Sequence, residues 1–452
     1  MNRGRRSQLR RKSYSESETI IQVDRVRSAR NSGESLGGVL IAHPGTQHSY
    51  ETALAIHEAG LLRSYITGYY YKPEVGITRV VERLPLLKLK ARLRERKKPG
   101  LPEDKVTTCP ILEMVAALAR EARIWRPQWE FVKNAMFDSY AARVVLETRP
   151  KAVLCYDVCA GQTFKAAESI GALRILDQTI AYLKTCERLL KEERLLHSEF
   201  ADGPPTTFPA WVAKRSASEL KAANFILAPS EFVRSSLIEA SVPANRIVLL
   251  PYGVDIDAIK PRERLATEPC RLLFVGLVSQ RKGIQYLLEC ARRLNLKKDE
   301  LWIVGGIVGS EARLAPYRMH FTHFTQVSKS AVPKFYSASD VGVFPSLLEG
   351  SSLAIYEAMA AGLPIVTTPN SGSIVRDGID GFIVPIRDVN TLAERIQLLR
   401  RDPCLRREMG RNARKQVESY SWVGYRRRIG DLFRNLLAAN GEHTGSKEVL
   451  GS

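Results

Sequence analysis

The sequence predicts an α/β protein built from two doubly wound, parallel-sheet domains that face a cleft. Three observations carry this reading. Short, compact apolar runs recur along the chain, each followed by a turn and a helical pattern. The runs are continuous rather than alternating, as strands covered by helices on both faces are. They also fall into two series, divided by one stretch rich in proline and charge at residues 255–269.

Composition fits that class. The chain has 452 residues, of which 44% are apolar and 26% charged, enough for packed cores. This excludes a wholly disordered chain, a collagen-like fibre and a small disulfide-stapled fold. Length alone would allow about three domains, but the pattern resolves two. No run approaches the ~18 uninterrupted apolar residues of a membrane-spanning helix. Residues 1–12 are rich in arginine without the apolar core of a secretory signal. The seven cysteines are scattered, with no C-x-x-C pair, so they read as reduced thiols of a cytoplasmic protein.

Taken in order, residues 1–35 are polar and dense in Arg, Ser and Glu, and read as a disordered basic tail. Order begins at Leu36. Residues 39–42 (Val-Leu-Ile-Ala) form a buried strand, residues 43–48 a glycine-containing turn around Gly45, and residues 49–60 a helix, the opening of a βαβ unit. Further strands are expected at 152–156, 173–176, 225–229 and 247–252, with helices at 163–170 and 231–240 among those between them. The first domain therefore runs from 36 to 254, and residues 255–269 are the linker. In the second domain, 270–404, strands are expected at 271–277, 301–304, 341–344, 364–368 and 381–384. Helices at 284–294, 332–337, 352–361 and 389–401 separate them. Residues 405–437 read as helical throughout, and 441–452 as a tail.

Several chemistries find no motif. There is no G-x-x-x-x-G-K-[ST] phosphate loop, no G-x-G-x-x-G after either first strand and no G-x-S-x-G elbow. His320 and His323 form a close pair, but no Cys or carboxylate stands at metal-ligand spacing, so no metal site is expected.

The informative segment is Phe344-Pro-Ser346-Leu-Leu-Glu349-Gly350-Ser351-Ser352-Leu353, followed by Ala-Ile-Tyr-Glu357-Ala-Met-Ala-Ala-Gly362-Leu-Pro364. A strand runs into a loop carrying Glu349, and a helix is expected from about Ser351. Free backbone N–H groups of residues 350–353 and the positive end of the helix dipole would make an anion site, suited to a diphosphate. Glu357 lies in a helix that is apolar almost all round, where a lone carboxylate needs a ligand or a partner. A ribose diol and an arginine from another helix serve equally well on this ground.

Glu349-x7-Glu357 with Ala-Met-Ala-Ala-Gly-Leu-Pro, then Asp377-Gly-x-Asp-Gly381-Phe-Ile-Val-Pro385, resembles the family-4 retaining glycosyltransferases (glycosyl transferases group 1) of the GT-B fold. Pro251-Tyr-Gly253-Val-Asp255, Phe274-Val-Gly276 and Lys282-Gly283 extend the resemblance, which covers residues 271–422 well. It implies two Rossmann-like domains, the first for the acceptor and the second for a nucleotide sugar. Around Ser421-Trp422, residues 405–440 would be helices crossing back to the first domain. It further implies that Glu349 binds hydroxyls of the donor sugar, that Glu357 binds the nucleotide ribose, and that Lys282 neutralises the diphosphate. Ser346, Gly350, Ser351, Ser352 and Leu353 then belong to the donor site, and Gly45 to a loop that approaches the phosphates. The family's usual arginine after Gly276 is Leu277 here, so Arg281 is expected to supply that charge. Its Gly-Gly-x-x-Glu segment is replaced by Asn370-Ser-Gly372-Ser373. Where many members carry a histidine facing the acceptor, this chain has Asp177 and Gln178, with His48 and His43 as other candidates.

The expected activity is retaining, metal-independent sugar transfer from a nucleotide-diphosphate donor, UDP- or GDP-linked, to a glycan or lipid-linked glycan. No cofactor is expected. Two alternatives stand beside it: a GT-B-shaped sugar-nucleotide epimerase, and a non-catalytic nucleotide- or membrane-binding module. The excess of 68 Lys+Arg over 48 Asp+Glu gives a net charge of +20, which attracts polyanions. From Arg83 to Lys98, leucines interleave with cations as in a helix lying on an anionic membrane surface. A peripheral position on the cytoplasmic membrane face is therefore expected. No nucleic-acid module accompanies the charge, so nucleic acid is set aside.

Overall fold

A computed structural model describes residues 38–72, 93–121, 128–201, 208–261 and 269–448. Outside them lie the basic tail 1–35, residues 83–92 of the leucine–cation segment, residues 262–268 of the linker, and 449–452. In the first domain the order is β1 (Val39–His43), α1 (Ser49–Glu58), β2 (Leu62–Thr67), β3 (Val106–Thr108), α2 (Pro110–Glu121), α3 (Gln128–Thr148), β4 (Ala152–Tyr156), α4 (Gly161–Ser169), β5 (Leu173–Asp177), α5 (Leu183–Leu196), α6 (Ala210–Ala222), β6 (Phe225–Ala228), α7 (Glu231–Glu239) and β7 (Ile247–Leu249). The second domain holds β8 (Leu272–Val275), α8 (Ile284–Arg293), β9 (Leu301–Val304), β10 (Thr322–Phe324), α9 (Val332–Ser337), β11 (Val341–Phe344), α10 (Leu353–Ala360), β12 (Ile365–Thr367), β13 (Gly381–Ile383) and α11 (Val389–Arg401). Helices α12 (Pro403–Glu418) and α13 (Trp422–Glu448) follow.

Both sheets are parallel and doubly wound. The first has seven strands in the order β3-β2-β1-β4-β5-β6-β7, the second six in the order β10-β9-β8-β11-β12-β13. In each, the winding reverses beside the first strand, so the crevice opens where the chain leaves β1 and β4, and β8 and β11. The continuous apolar runs have their explanation here. Along β1, Val39 and Ile41 enter one core with α1 and α13, while Leu40 and Ala42 enter another with α3 and α4. Every residue of β1 and β4 is buried. The free cysteines Cys155, Cys159, Cys186 and Cys290 are buried as well.

Three strands escape the sequence pattern. β3 and β10 are three residues each, and β2 (Leu-Arg-Ser-Tyr-Ile-Thr) carries an exposed arginine that interrupts its apolar run. The C-terminal stretch is not one helical run, contrary to the sequence expectation. It breaks at 419–421, where the chain crosses between domains. There Val254 and Ser421 pair as an isolated parallel bridge, with Val254 N–H donating to the Tyr420 carbonyl. Those backbone groups are spent across the crossing, so they cannot serve a helix. Past the break α13 lies on α1: Tyr425 and Thr52 hydroxyls meet at 2.8 Å, Arg426 pairs with Glu51 and Glu58, and Tyr425, Ile429, Phe433 and Leu437 enter the first domain's core. Helix α12 packs on α10 of the second domain, and Arg414 at its far end donates to the Ile259 and Ala360 carbonyls. No helix among the described residues is long and apolar enough to cross a membrane.

Phe433 is fully buried in this seam. Phe433→Ala is expected to lower stability by about 3–5 kcal/mol, the range for truncating a core phenylalanine, measured by denaturant unfolding.

Candidate active site at the carboxyl edges of the two sheets

On the second domain, β8 ends at Val275, and past Gly276 the chain passes through one tight turn, Gln280–Lys282, into α8. The loop leaving β11 runs alongside: Leu347 and Leu348 N–H groups both donate to the Arg281 carbonyl, at 2.9 and 3.2 Å. A Cβ on Gly283, whose φ is +69°, would stand 1.9 Å from the Pro345 carbonyl oxygen, so only glycine lets these loops meet. Their approach brings Arg281 Nη1 to 2.7 Å and Lys282 Nζ to 2.6 Å from one atom, Glu349 Oε1. Lys282 and Glu349 are buried, and Arg281 is partly open to solvent. Burial pushes the Lys282 ammonium below the usual lysine range, while the Glu349 carboxylate holds it up. Two cations and one carboxylate leave one positive charge at the edge of the sheet. An anion with several charges would draw the cations to itself and leave Glu349 free to accept hydrogen bonds from hydroxyl groups.

Glu357 occupies a separate recess of about 340 Å³, bounded by Gly253 and Val254 from the chain leaving the first domain, Lys329 and Tyr336 near α9, Leu353, and Trp422. Its partner is a hydroxyl, not an arginine: Tyr336 Oη donates to Glu357 Oε2 at 2.7 Å. Burial pushes this carboxyl up, against the pull of the tyrosine bond. Its other oxygen remains for a ligand's hydroxyl, and Lys329 adds a positive wall.

The strand-end residues are placed differently from the sequence expectation. The helix begins at Leu353 with Ser352 as its cap, because the Ser352 N–H donates to the Ser371 carbonyl and the Glu349 N–H to that of Asn370. The Ser352 amide is thus already spent, and does not join a run of free donors over 350–353. Gly350 faces the first domain: a Cβ there would lie 1.7 Å from the Thr179 carbonyl oxygen, and its own carbonyl accepts from Ser230 Oγ at 2.5 Å. Ser351 Oγ donates to Tyr356 Oη at 3.2 Å, and Leu353 is partly exposed. The Ser346 and Ser352 hydroxyls are buried without a side-chain hydrogen bond among the described residues.

Opposite lies a cavity of about 370 Å³ between the carboxyl ends of β1, β4 and β5 and the pair Arg281 and Leu348. Gly45 does not present its N–H to it. That N–H donates to His43 Nδ1 at 3.0 Å. Asp177 does not open onto it either: Asp177 Oδ2 and His48 Nε2 meet at 2.7 Å, both buried, with the His48 ring 4.1 Å from that of Tyr252. Gln178 Nε2 donates to the Ile180 carbonyl. The His320 and His323 rings reach the backbone carbonyls of Leu296 and Gly305.

Asp157, which the sequence reading missed, does line the cavity. Its Oδ1 accepts from Thr179 N–H at 3.1 Å and Thr179 Oγ1 at 2.7 Å, and burial pushes its carboxyl up against those bonds. The signal was its position one residue past an apolar strand, at the carboxyl edge. Its neighbour Val158 has φ +65°, an outlier for a β-branched residue. Glu219 of α6 holds that turn, accepting from Val158 N–H at 2.7 Å and Ala160 N–H at 2.9 Å. Phe131, Asn134 and Phe208 complete the wall, from helices and loops with no readable code.

Burial lowers His43 from its usual value to about 3. A base whose folded pKa is depressed stabilises the fold above its unfolded value near 6.5 and loses that contribution as pH falls toward 3. The stability of the native chain is therefore expected to fall on acidification from pH 6.5, by on the order of 1 kcal/mol per pH unit, and its melting temperature with it. In His43→Gln this part of the slope disappears, which thermal melts at stepped pH would show.

Residues 269–402 match the family model described as Glycosyl transferases group 1. The D-inositol 3-phosphate glycosyltransferase of Paenarthrobacter aurescens (strain TC1) is 28% identical over 200 residues, covering 39% of this chain and 49% of that one. The chain spans about half to two thirds of the length of the first curated relatives it matches. Among solved structures, the sucrose-phosphate synthase of Thermosynechococcus elongatus superposes with a TM-score of 0.62 at 17% identity, over 89% of this chain and 100% of that one. Anabaena Alr3699/HepE in complex with UDP and glucose gives 0.57 at 13% identity, over 88% and 99%. At such identities the likeness concerns the fold. The second domain thus matches the glycosyl transferases group 1 in sequence, and the two-domain architecture is that of GT-B glycosyltransferases.

Proposed function

We propose that the chain is a retaining, metal-independent glycosyltransferase that moves a sugar from a nucleotide-diphosphate donor to a glycan or lipid-linked glycan. One observation carries the reading: Arg281 and Lys282 converge on Glu349 at the edge of a cleft, with Glu357 in its own recess along α10. A donor laid across these groups puts its ribose on Glu357, its diphosphate on the two cations and its sugar hydroxyls on Glu349. The likeness to a chain solved with UDP and glucose supports a uridine or similar donor.

The chemistry follows from the charges. As the bond to the anomeric carbon breaks, negative charge grows on the departing phosphate, and fixed cations stabilise it in the place a metal ion would otherwise take. The acceptor approaches from the first-domain cavity, on the face the phosphate is leaving. A phosphate oxygen takes the proton of the acceptor hydroxyl as the new bond forms, so no enzyme nucleophile is needed. Asp157, held by Thr179, orients that hydroxyl. The protein contributes position and preorganised charge.

A peripheral place on the cytoplasmic membrane face belongs to the same proposal. Its support is the pattern of leucines and cations from Arg83 to Lys98. In the described end of that segment Lys98 pairs with Glu51, Lys97 with Glu103, and Arg96 approaches Glu113. Co-sedimentation with vesicles of phosphatidylglycerol, absent with neutral vesicles, is the expected outcome.

UDP or GDP is expected to raise the melting temperature, because a ligand of the folded state stabilises it. Lys282→Ala leaves the Arg281–Glu349 pair in place, so the fold should hold while transfer falls by about 10²–10³. Glu357→Gln still accepts from Tyr336, and nucleotide affinity is expected to fall about tenfold with the loss of one charge-assisted hydrogen bond. An isomeric nucleotide sugar formed without acceptor would replace this reading with epimerisation. Neither product nor stabilisation by any nucleoside diphosphate would sink both.

A further inference from the structure

The connection from β5 to β6 does not stay on its own domain. Helix α5 carries Glu193, which is fully buried, and the side chains that donate to it all come from the second domain. Gln285 Nε2 and Tyr286 Oη each stand 2.8 Å from its Oε2, and Arg387 pairs with its Oε1. Arg387 also reaches Glu192 at 2.9 Å, with its own backbone at φ +69°. Such strain persists only where surrounding contacts over-determine it. Just past α5, Phe200 is buried in the second domain's core, and its carbonyl accepts from Arg313 Nη1 at 2.7 Å.

The end of α5 also touches the cationic turn. Two carbonyls at this end, those of Glu193 and His197, accept from the His197 and Phe200 N–H groups and also from Gln280 Nε2, at 3.0 and 2.8 Å. Gln280 is buried and is the first residue of the turn whose next two are Arg281 and Lys282. An amide fixed by two acceptors has one orientation, and the turn that carries it follows.

We infer that α5 is a strap from the first domain that sets the position of the diphosphate-facing cations, with Gln280 as the positioning residue and Glu193 as the buried anchor. The strap makes the cationic turn part of both domains, so their engagement adds to the order the second domain gives it. The value of that order to a ligand rests on the proposed transfer reaction. The anchoring of the turn does not.

The test uses the full chain with Gln280→Met, which keeps length and volume but donates nothing, and Gln280→Glu, which faces the two carbonyls with an acceptor. If Gln280 only filled space, Gln280→Met would behave as the native chain. Amide hydrogen exchange without ligand is expected to quicken at Lys282, Gly283, Leu347 and Leu348, whose N–H groups are bonded within the turn and to it. Affinity for UDP or GDP is expected to fall about tenfold in Gln280→Met, as one or two lost hydrogen bonds predict, and further in Gln280→Glu. Unchanged exchange, or unchanged affinity alongside faster exchange, would overturn the positioning role. Should the native chain bind neither nucleotide, the transfer reading fails, while the exchange comparison still decides whether α5 holds the turn.

Discussion

Two cations that share one carboxylate oxygen set the terms for the whole cleft. Arg281 and Lys282 are adjacent in sequence and would repel each other if left alone at a partly buried edge. Glu349 Oε1 holds both within 2.7 Å. It reaches them only because the loop leaving β11 lies against the turn before α8, a contact that leaves no space for a side chain on Gly283. That loop in turn packs outward: Leu348 joins Ala181, Cys186 and Leu189 of the first domain in one apolar cluster. A charge arrangement spanning a few ångströms thus depends on how the two domains meet.

The two sheets have the same winding, yet their edges do different work. The second domain presents charge that is only partly compensated, two cations against one acid. The first domain presents an edge whose obvious acid is already used, since Asp177 is closed by His48 under Tyr252. What remains open there is Asp157, beside largely apolar walls. An acceptor entering this side meets one carboxylate whose direction is fixed by Thr179, so orientation rather than charge is what the first domain supplies.

Most of the fold was legible because its strands are buried on both faces, which gives continuous apolar runs a single reading. β3 and β10 were not, since Val-Thr-Thr and Thr-His-Phe are mostly polar and form no continuous apolar run. The break at 419–421 was hidden because its cause, pairing with Val254, is a partner more than 160 residues away in the chain. The acids Glu349 and Glu357 were legible as a spaced pair in a segment that folds locally. Ser352 and Gly350 were misjudged for the opposite reason: their backbone groups meet the 368–372 loop and Thr179, which no local pattern announces. The same holds for Glu193, one of several acids in a charged helix, whose burial depends on Gln285, Tyr286 and Arg387 about 90 to 190 residues on.

The partly compensated trio also bears on selectivity. A singly charged anion arriving at Arg281 and Lys282 must displace a carboxylate that already satisfies both, so it exchanges one ion pair for another of similar strength. A diphosphate brings more charge and more acceptor oxygens than Glu349 offers, and can engage the two cations together. The carboxylate it displaces is then released beside the sugar, where hydroxyl donors replace the lost cations. Under the proposed function, Glu349 therefore acts twice with one set of atoms. It holds the cations in register while the cleft is empty, and it turns to the sugar only when a ligand of sufficient charge has taken its place.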